Sequence, residues 1–252
     1  MAHSADEDGI PPLTLEQSIA RIEATERAVA RIWLGLRTVE LIYDEVRPLA
    51  DDGHRDLPLE TVALGLEHLM KVTLVLGHRE HTGTTYDAAQ LKRLRHDIAR
   101  IDGTVIALAR QIGYGHDRPA VRDDMDFLTN DPAKQQLVQV MSTITDTGRY
   151  DALNEFVGGS RSAHPYGHLD AYEQTLLERQ PGVSDLPYPQ QFDALARLHR
   201  DETITTCLRW ARALTRMFTL GFCGRLGQQL TGTVKVFLYL PDHQLDRVPP
   251  WQ

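Results

Sequence analysis

Two cysteines in 252 residues, Cys207 and Cys223, are too few for a disulfide framework or a cysteine-based zinc site. Both fall inside a helical apolar pattern, which predicts buried, reduced thiols. No apolar run approaches the ~20 residues that span a bilayer, so no membrane partner is expected. The first twelve residues are polar and acidic and have neither region of a signal peptide, so the cytoplasm is the expected compartment. A P-loop, a dinucleotide fingerprint and a Gly-x-Ser-x-Gly elbow are all missing, and no cofactor is expected. Basic charge is in deficit: 27 lysines and arginines stand against 35 acidic residues, a net charge of −8. That argues against a global attraction to nucleic acid and leaves room only for a local basic patch.

What is present is helical periodicity. Leu91, Leu94, Ile98, Ile101, Val105, Leu108 and Ile112 recur at steps of three and four. This predicts one long helix over 91–112, buried along a seam against other helices. Thr14 with Gln17 reads as a capping box that opens a helix running to about Arg47. Pro58 opens another, Leu59 to about Gly77, carrying Glu67 and Lys71 as an i, i+4 pair on its surface. Residues 78–86 read as a loop, and Asp87 with Gln90 as a cap for the seam helix. Asp131-Pro132 starts a helix that ends at Gly148.

Residues 158–167 form the clearest loop, and Leu169 to Glu178 a short helix. From Ile204 to Phe222 the spacing predicts a further long helix. Gly221, Gly224 and Gly227 suggest either a smooth face for a close neighbour or a bend. Val234 to Leu240 is read as helix, because a strand there would have no partner. The expected fold class is all-α, a multi-helix bundle with long antiparallel helices. Residues 1–12 form a disordered tail, 13–246 a single all-helical domain, and 247–252 a tail with Trp251 docked. A subdomain break, if present, falls at 114–131.

Eleven histidines are scattered along the chain. His78 and His81 lie at a helix end, and His164 and His168 flank Pro165 and Gly167. No Glu-x-x-His or His-Glu-x-x-His pattern exists, so no metal site is expected. His96-Asp97 and His116-Asp117 resemble the His-Asp pair of helical metal-dependent phosphohydrolases, without the rest of that set. Lys92, Arg93, Arg95 and Arg100 surround His96 with one acid, Asp97. This reads as a solvated outer face or as a basic strip facing a phosphate or an acidic partner.

Two stretches resemble known groups. Glu67-His68-Leu69-Met70-Lys71, a loop, and then Leu91-Lys92-Arg93-Leu94-Arg95-His96-Asp97 resemble the first helices of HEPN domains, over about 59–100. These are small helical bundles common in bacterial defence and toxin systems. Asp131-Pro132, Gly148-Arg149-Tyr150-x-x-Leu153-Asn154 and Ala211 to Thr219 resemble blocks in a group of uncharacterised bacterial helical proteins.

The first resemblance implies a ribonuclease in which an Arg, four to six residues and a His act at a dimer interface. The His would serve as general acid–base and the Arg would stabilise charge. Arg110–His116 has that spacing, as do Arg47–His54 and Arg161–His168, and His96 holds the His-Asp position. Arg110, His116 and His96 are therefore the candidate catalytic residues, and Lys92, Arg93, Arg95 and Arg100 the candidate nucleic-acid or phosphate contacts. The expected function is a non-catalytic interaction or self-association module, with a homodimer or a helical protein as partner. The alternative is a HEPN-like RNA-binding or RNA-cleaving protein.

Overall fold

A computed structural model describes residues 12–45, 56–115, 118–145, 157–158 and 166–251. Among these the chain forms eleven α-helices, one 3-10 turn and no strand, an all-α multi-helix bundle. Helix α1 (Leu15–Glu45) starts where expected. The Thr14 N–H donates to Gln17 Oε1 at 3.0 Å and the Gln17 N–H to Thr14 Oγ1 at 3.1 Å, so two orphan donors are satisfied reciprocally. Helix α2 (Asp56–Thr82) runs antiparallel to α1 and reaches past His81, through residues read as loop from their glycine and threonine content.

The α1–α2 approach is made by two glycines. A Cβ on Gly35 would lie 2.7 Å from the Val62 backbone nitrogen, and one on Gly65 2.6 Å from that of Ile32. Around this contact Ala28, Ile32, Leu36, Val62, Ala63 and Leu66 are sealed from water.

The expected seam helix is two helices. Helix α3 (Ala88–Arg93) opens on the Asp87–Gln90 capping box, and α4 (Ile98–Gln111) on Asp97, whose carboxylate accepts from the Arg100 N–H at 2.9 Å. Between them Arg95 takes a left-handed φ of 53°. The heptad spacing still foretells burial: Leu94, Ile98, Ile101 and Val105 are all in the core. Apolar spacing survives a sharp break whenever the turn happens to restore the register.

Helix α5 (Pro119–Asn130) occupies most of 114–131, the stretch where a subdomain break would fall. Val121, Asp124, Phe127 and Leu128 form its buried face, packed against α4, α6 (Pro132–Thr143) and α9 (Gln190–Thr219). Helices α7 (Tyr166–Arg179) and α8 (Pro181–Ser184) lead into α9, the helix on which the bundle is assembled. It touches α1, α2, α5, α6 and α7, and buries Trp210, Leu214 and Phe218 completely.

Helix α9 stops at Thr219 because Gly221 and Gly224 adopt φ of 102° and 56°, which only glycine takes readily. Both accounts of the glycine series hold: the chain bends at Gly221 and Gly224, and a Cβ on Gly224 would run into the Glu80 carboxylate of α2 while one on Gly227 would lie 2.9 Å from the Phe218 carbonyl oxygen. Gly35 and Gly65 add a second close approach, between α1 and α2. Helices α10 (Gly224–Gln228) and α11 (Thr231–Leu238) follow, the latter helical as expected.

After a 3-10 turn at Asp242–Gln244 the chain lies back across α1. The Val248 N–H donates to Glu40 Oε1 at 2.9 Å and Trp33 Nε1–H to the Pro249 carbonyl at 2.7 Å. Trp251 docks edge-on to Trp33, with centroids 5.2 Å apart. No helix among the described residues is long and apolar enough to cross a membrane.

Candidate functional site at the α3–α4 junction

The break between α3 and α4 is held by side chains from α2 and from Thr145, just past the end of α6. Glu67, expected on the surface, is only 1% exposed. Its carboxylate accepts from Lys71 Nζ at 2.6 Å and from His96 Nδ1 at 3.0 and 3.1 Å. Lys71 Nζ also donates to the Arg95 carbonyl at 2.6 Å, and Thr145 Oγ1 to the His96 carbonyl at 2.9 Å. A buried carboxylate is tolerable only when paired and hydrogen-bonded, and here two partners share that task.

The arrangement fixes the imidazole. A carboxylate can only accept, so Nδ1 carries the proton, and in the neutral ring Nε2 is the lone-pair nitrogen. The His96 side chain is 54% exposed, so a ring oriented from within presents its other edge to solvent. Lys92, Arg93, Arg95 and Arg100 are exposed around it. Arg100 Nη1 donates to the Arg93 carbonyl at 3.1 Å, which ties the strip to the turn.

One more histidine joins the cluster. Arg31 Nη1 donates to His68 Nδ1 at 2.9 Å, which requires that nitrogen to be unprotonated. Burial, followed by the positive charges of Arg31, Lys71 and His96, pulls the His68 pKa below its ordinary 6.5, while Glu67 opposes this. A depressed folded-state pKa means that the unfolded chain takes up the proton first as pH falls. The stabilising contribution is thus complete above 6.5 and is lost as pH drops through the lower folded value. We expect the urea midpoint to fall between pH 7.5 and pH 5, and His68→Gln to flatten that fall. An unchanged pH profile in the variant would remove His68 as the cause.

Not all the candidate residues meet. Arg110 is exposed in the last turn of α4 while His96 precedes its first, so roughly 20 Å of helix separates them. His116 lies outside the described residues, as do Arg47, His54, Arg161 and His164. His168 is exposed on α7. His81 Nε2 bonds to the Phe222 carbonyl at 3.0 Å and His78 Nε2 to Thr84 Oγ1 at 3.1 Å, so both are used locally. No group of three or more potential metal ligands occurs among the described residues.

A second polar cluster was invisible in the sequence. Lys134, on α6, is 1% exposed. Its Nζ donates to Asp102 Oδ2, on α4, and to the Leu128 carbonyl at 2.8 Å, and it stands 4.9 Å from the centre of the Trp210 ring. Desolvation pushes the Asp102 pKa up and the Lys134 pKa down, against their mutual attraction. The only hint was Asp131-Pro132, which fixes where α6 starts and hence which way Lys134 faces.

Compared with protein-family models, with curated proteins and with solved structures, the chain matches none.

Proposed function

We propose that this chain is an RNA-binding helical protein that holds a single strand's phosphates on the α3–α4 junction. The observation that supports it most is His96. Its inner nitrogen is held by the buried Glu67 carboxylate and its ring is half-exposed amid Lys92, Arg93 and Arg95. A cationic strip gathered around a fixed imidazole suits a phosphodiester, with the lysine and arginine side chains donating to the phosphate oxygens, since such contacts position a strand. The HEPN resemblance over 59–100 points the same way, because Glu67, Lys71, His96 and Asp97 are the residues that carry it. The reading stops at binding, because Arg110 lies at the other end of α4 from His96.

Retention of a labelled single-stranded RNA should weaken steeply with salt, and the slope should fall by about 0.7 for each phosphate contact removed. Arg95→Gly separates the charge from the turn. Glycine suits a φ of 53°, so the variant should gain about 0.5–1 kcal/mol of stability. It should at the same time bind RNA more weakly. Thermal melting and filter retention check both halves, and undiminished RNA binding in Arg95→Gly with Lys92→Ala would overturn the reading.

Self-association is the second reading. Leu15, Ile19 and Ile22 are 77%, 47% and 39% exposed at i, i+4 and i+7 on α1, one face of a helix. Light scattering decides it: a monomer at high concentration sinks this alternative.

A further inference from the structure

The His96 ring stands between two sets of acceptors. On its inner edge Nδ1 lies 3.1 and 3.0 Å from the two oxygens of the buried Glu67 carboxylate. The side chain is 54% exposed, and its outer nitrogen, Nε2, belongs to the edge beside Lys92, Arg93, Arg95 and Arg100, where a phosphate oxygen would arrive. A neutral imidazole has one N–H and cannot donate to both sides. With the proton on Nδ1, Nε2 turns a lone pair toward the phosphate. With the proton on Nε2, Nδ1 turns a lone pair toward a carboxylate that is sealed from water and depends on its donors. Only the imidazolium serves both sides at once.

The charged groups around the ring come from four helices. Glu67 and Lys71 lie on α2, and Lys71 Nζ donates both to Glu67 and to the Arg95 carbonyl at 2.6 Å. Lys92 and Arg93 end α3, Arg95 occupies the turn, and Asp97 and Arg100 open α4. Behind them Arg31 of α1 donates to His68 Nδ1. Burial and its cationic neighbours hold His68 neutral, so His96 is the member of this pair left to take up a second proton. A phosphate entering the strip places a negative charge beside a ring that already faces several cations, and so favours the charged ring.

We infer that His96 is a proton-coupled phosphate ligand: an RNA phosphate oxygen accepts from Nε2–H only once the ring has gained a second proton from solvent, so affinity for RNA rises as pH falls. The inference rests on the RNA reading above and adds its regulation. Coupling of this kind is reciprocal, and the phosphate favours the proton by the same factor as the proton favours the phosphate. The sign follows: the extra affinity is present while the bound ring is charged and is lost as pH rises through the range where histidine gives up its proton.

The test measures retention of a labelled oligouridylate by the full chain from pH 8 to pH 6, over a series of salt concentrations. Uracil has no group that titrates there, so the charge on the bases stays constant. Affinity should rise at least about fivefold over that span. The salt slope should steepen by about 0.7, the mark of one more cation on a phosphate of a single strand. His96→Gln should lose both changes, while His68→Gln keeps them. Because His96→Gln also takes a partner from Glu67, calorimetry on the unaltered chain gives a second readout. At pH 7, in two buffers of different ionisation heat, roughly half a proton should be taken up per RNA bound. Affinity independent of pH, no proton taken up, or a pH dependence undiminished in a folded His96→Gln would each overturn the coupling and leave the RNA reading standing. No retention at any pH overturns the RNA reading and this inference with it.

Discussion

Replacing Lys134 with methionine should cost about 3–5 kcal/mol, because it strands the Asp102 carboxylate without its counter-ion between α4 and α6. The cost measures an uncompensated charge rather than a strong bond. Burial pushes Asp102 up and Lys134 down, which says that desolvation outweighs attraction for each partner taken alone. The double replacement Lys134→Met with Asp102→Leu should accordingly recover most of the loss, and the methionine should fill the space against Trp210. Guanidinium midpoints on the two singles and the double form the cycle. A double variant as unstable as Lys134→Met alone would show that the pair is a net stabilising contact after all, and strictly additive losses would show no coupling between the two side chains.

The second large effect is expected at Gly65. Alanine there puts a methyl group 2.6 Å from both the Ile32 backbone nitrogen and its Cγ1. A side chain could turn aside, but a helix backbone cannot, so α1 must move off α2 or tilt. Overpacking of this kind costs about 1–3 kcal/mol, and more where a whole helix shifts. Gly35→Ala should behave alike, at 2.7 Å from the Val62 nitrogen. By contrast Gly103, which has nothing near its missing Cβ, should gain stability as alanine, because it lies within α4. Thermal melts of the three variants check the ordering, and a Gly65→Ala protein as stable as the parent would contradict the close approach.

The contrast between those glycines shows where sequence reading stops. Spacing rules told correctly which side of each helix is buried: Leu94, Ile98 and Ile101 are in the core as their steps of three and four require. Local capping chemistry was also legible, as Thr14, Asp87 and Asp131 show. What spacing cannot supply is the neighbour. Gly35 and Gly65 are ordinary letters until α1 and α2 are laid together. Glu67 looks like a surface partner for Lys71 until the α3–α4 turn covers it with His96.

The break at Arg95 escaped because the turn contains no glycine or proline. Its trace was Asp97 three residues before Arg100, a cap that an unbroken apolar seam overrode. The candidate site was therefore half legible: the basic strip was named residue by residue, but the buried carboxylate that orients its histidine was not.

The fastening of residues 248–251 across α1 carries a consequence for how the bundle assembles. The hydrogen bonds from Val248 to Glu40 and from Trp33 to Pro249 span 208 and 216 positions of chain. Contacts so distant cannot nucleate anything, since closing that circuit first would sacrifice entropy with no intervening structure to reward it. The indole of Trp33 should thus stay wet until the rest has condensed, so that its shielding marks the final latch of the folding reaction.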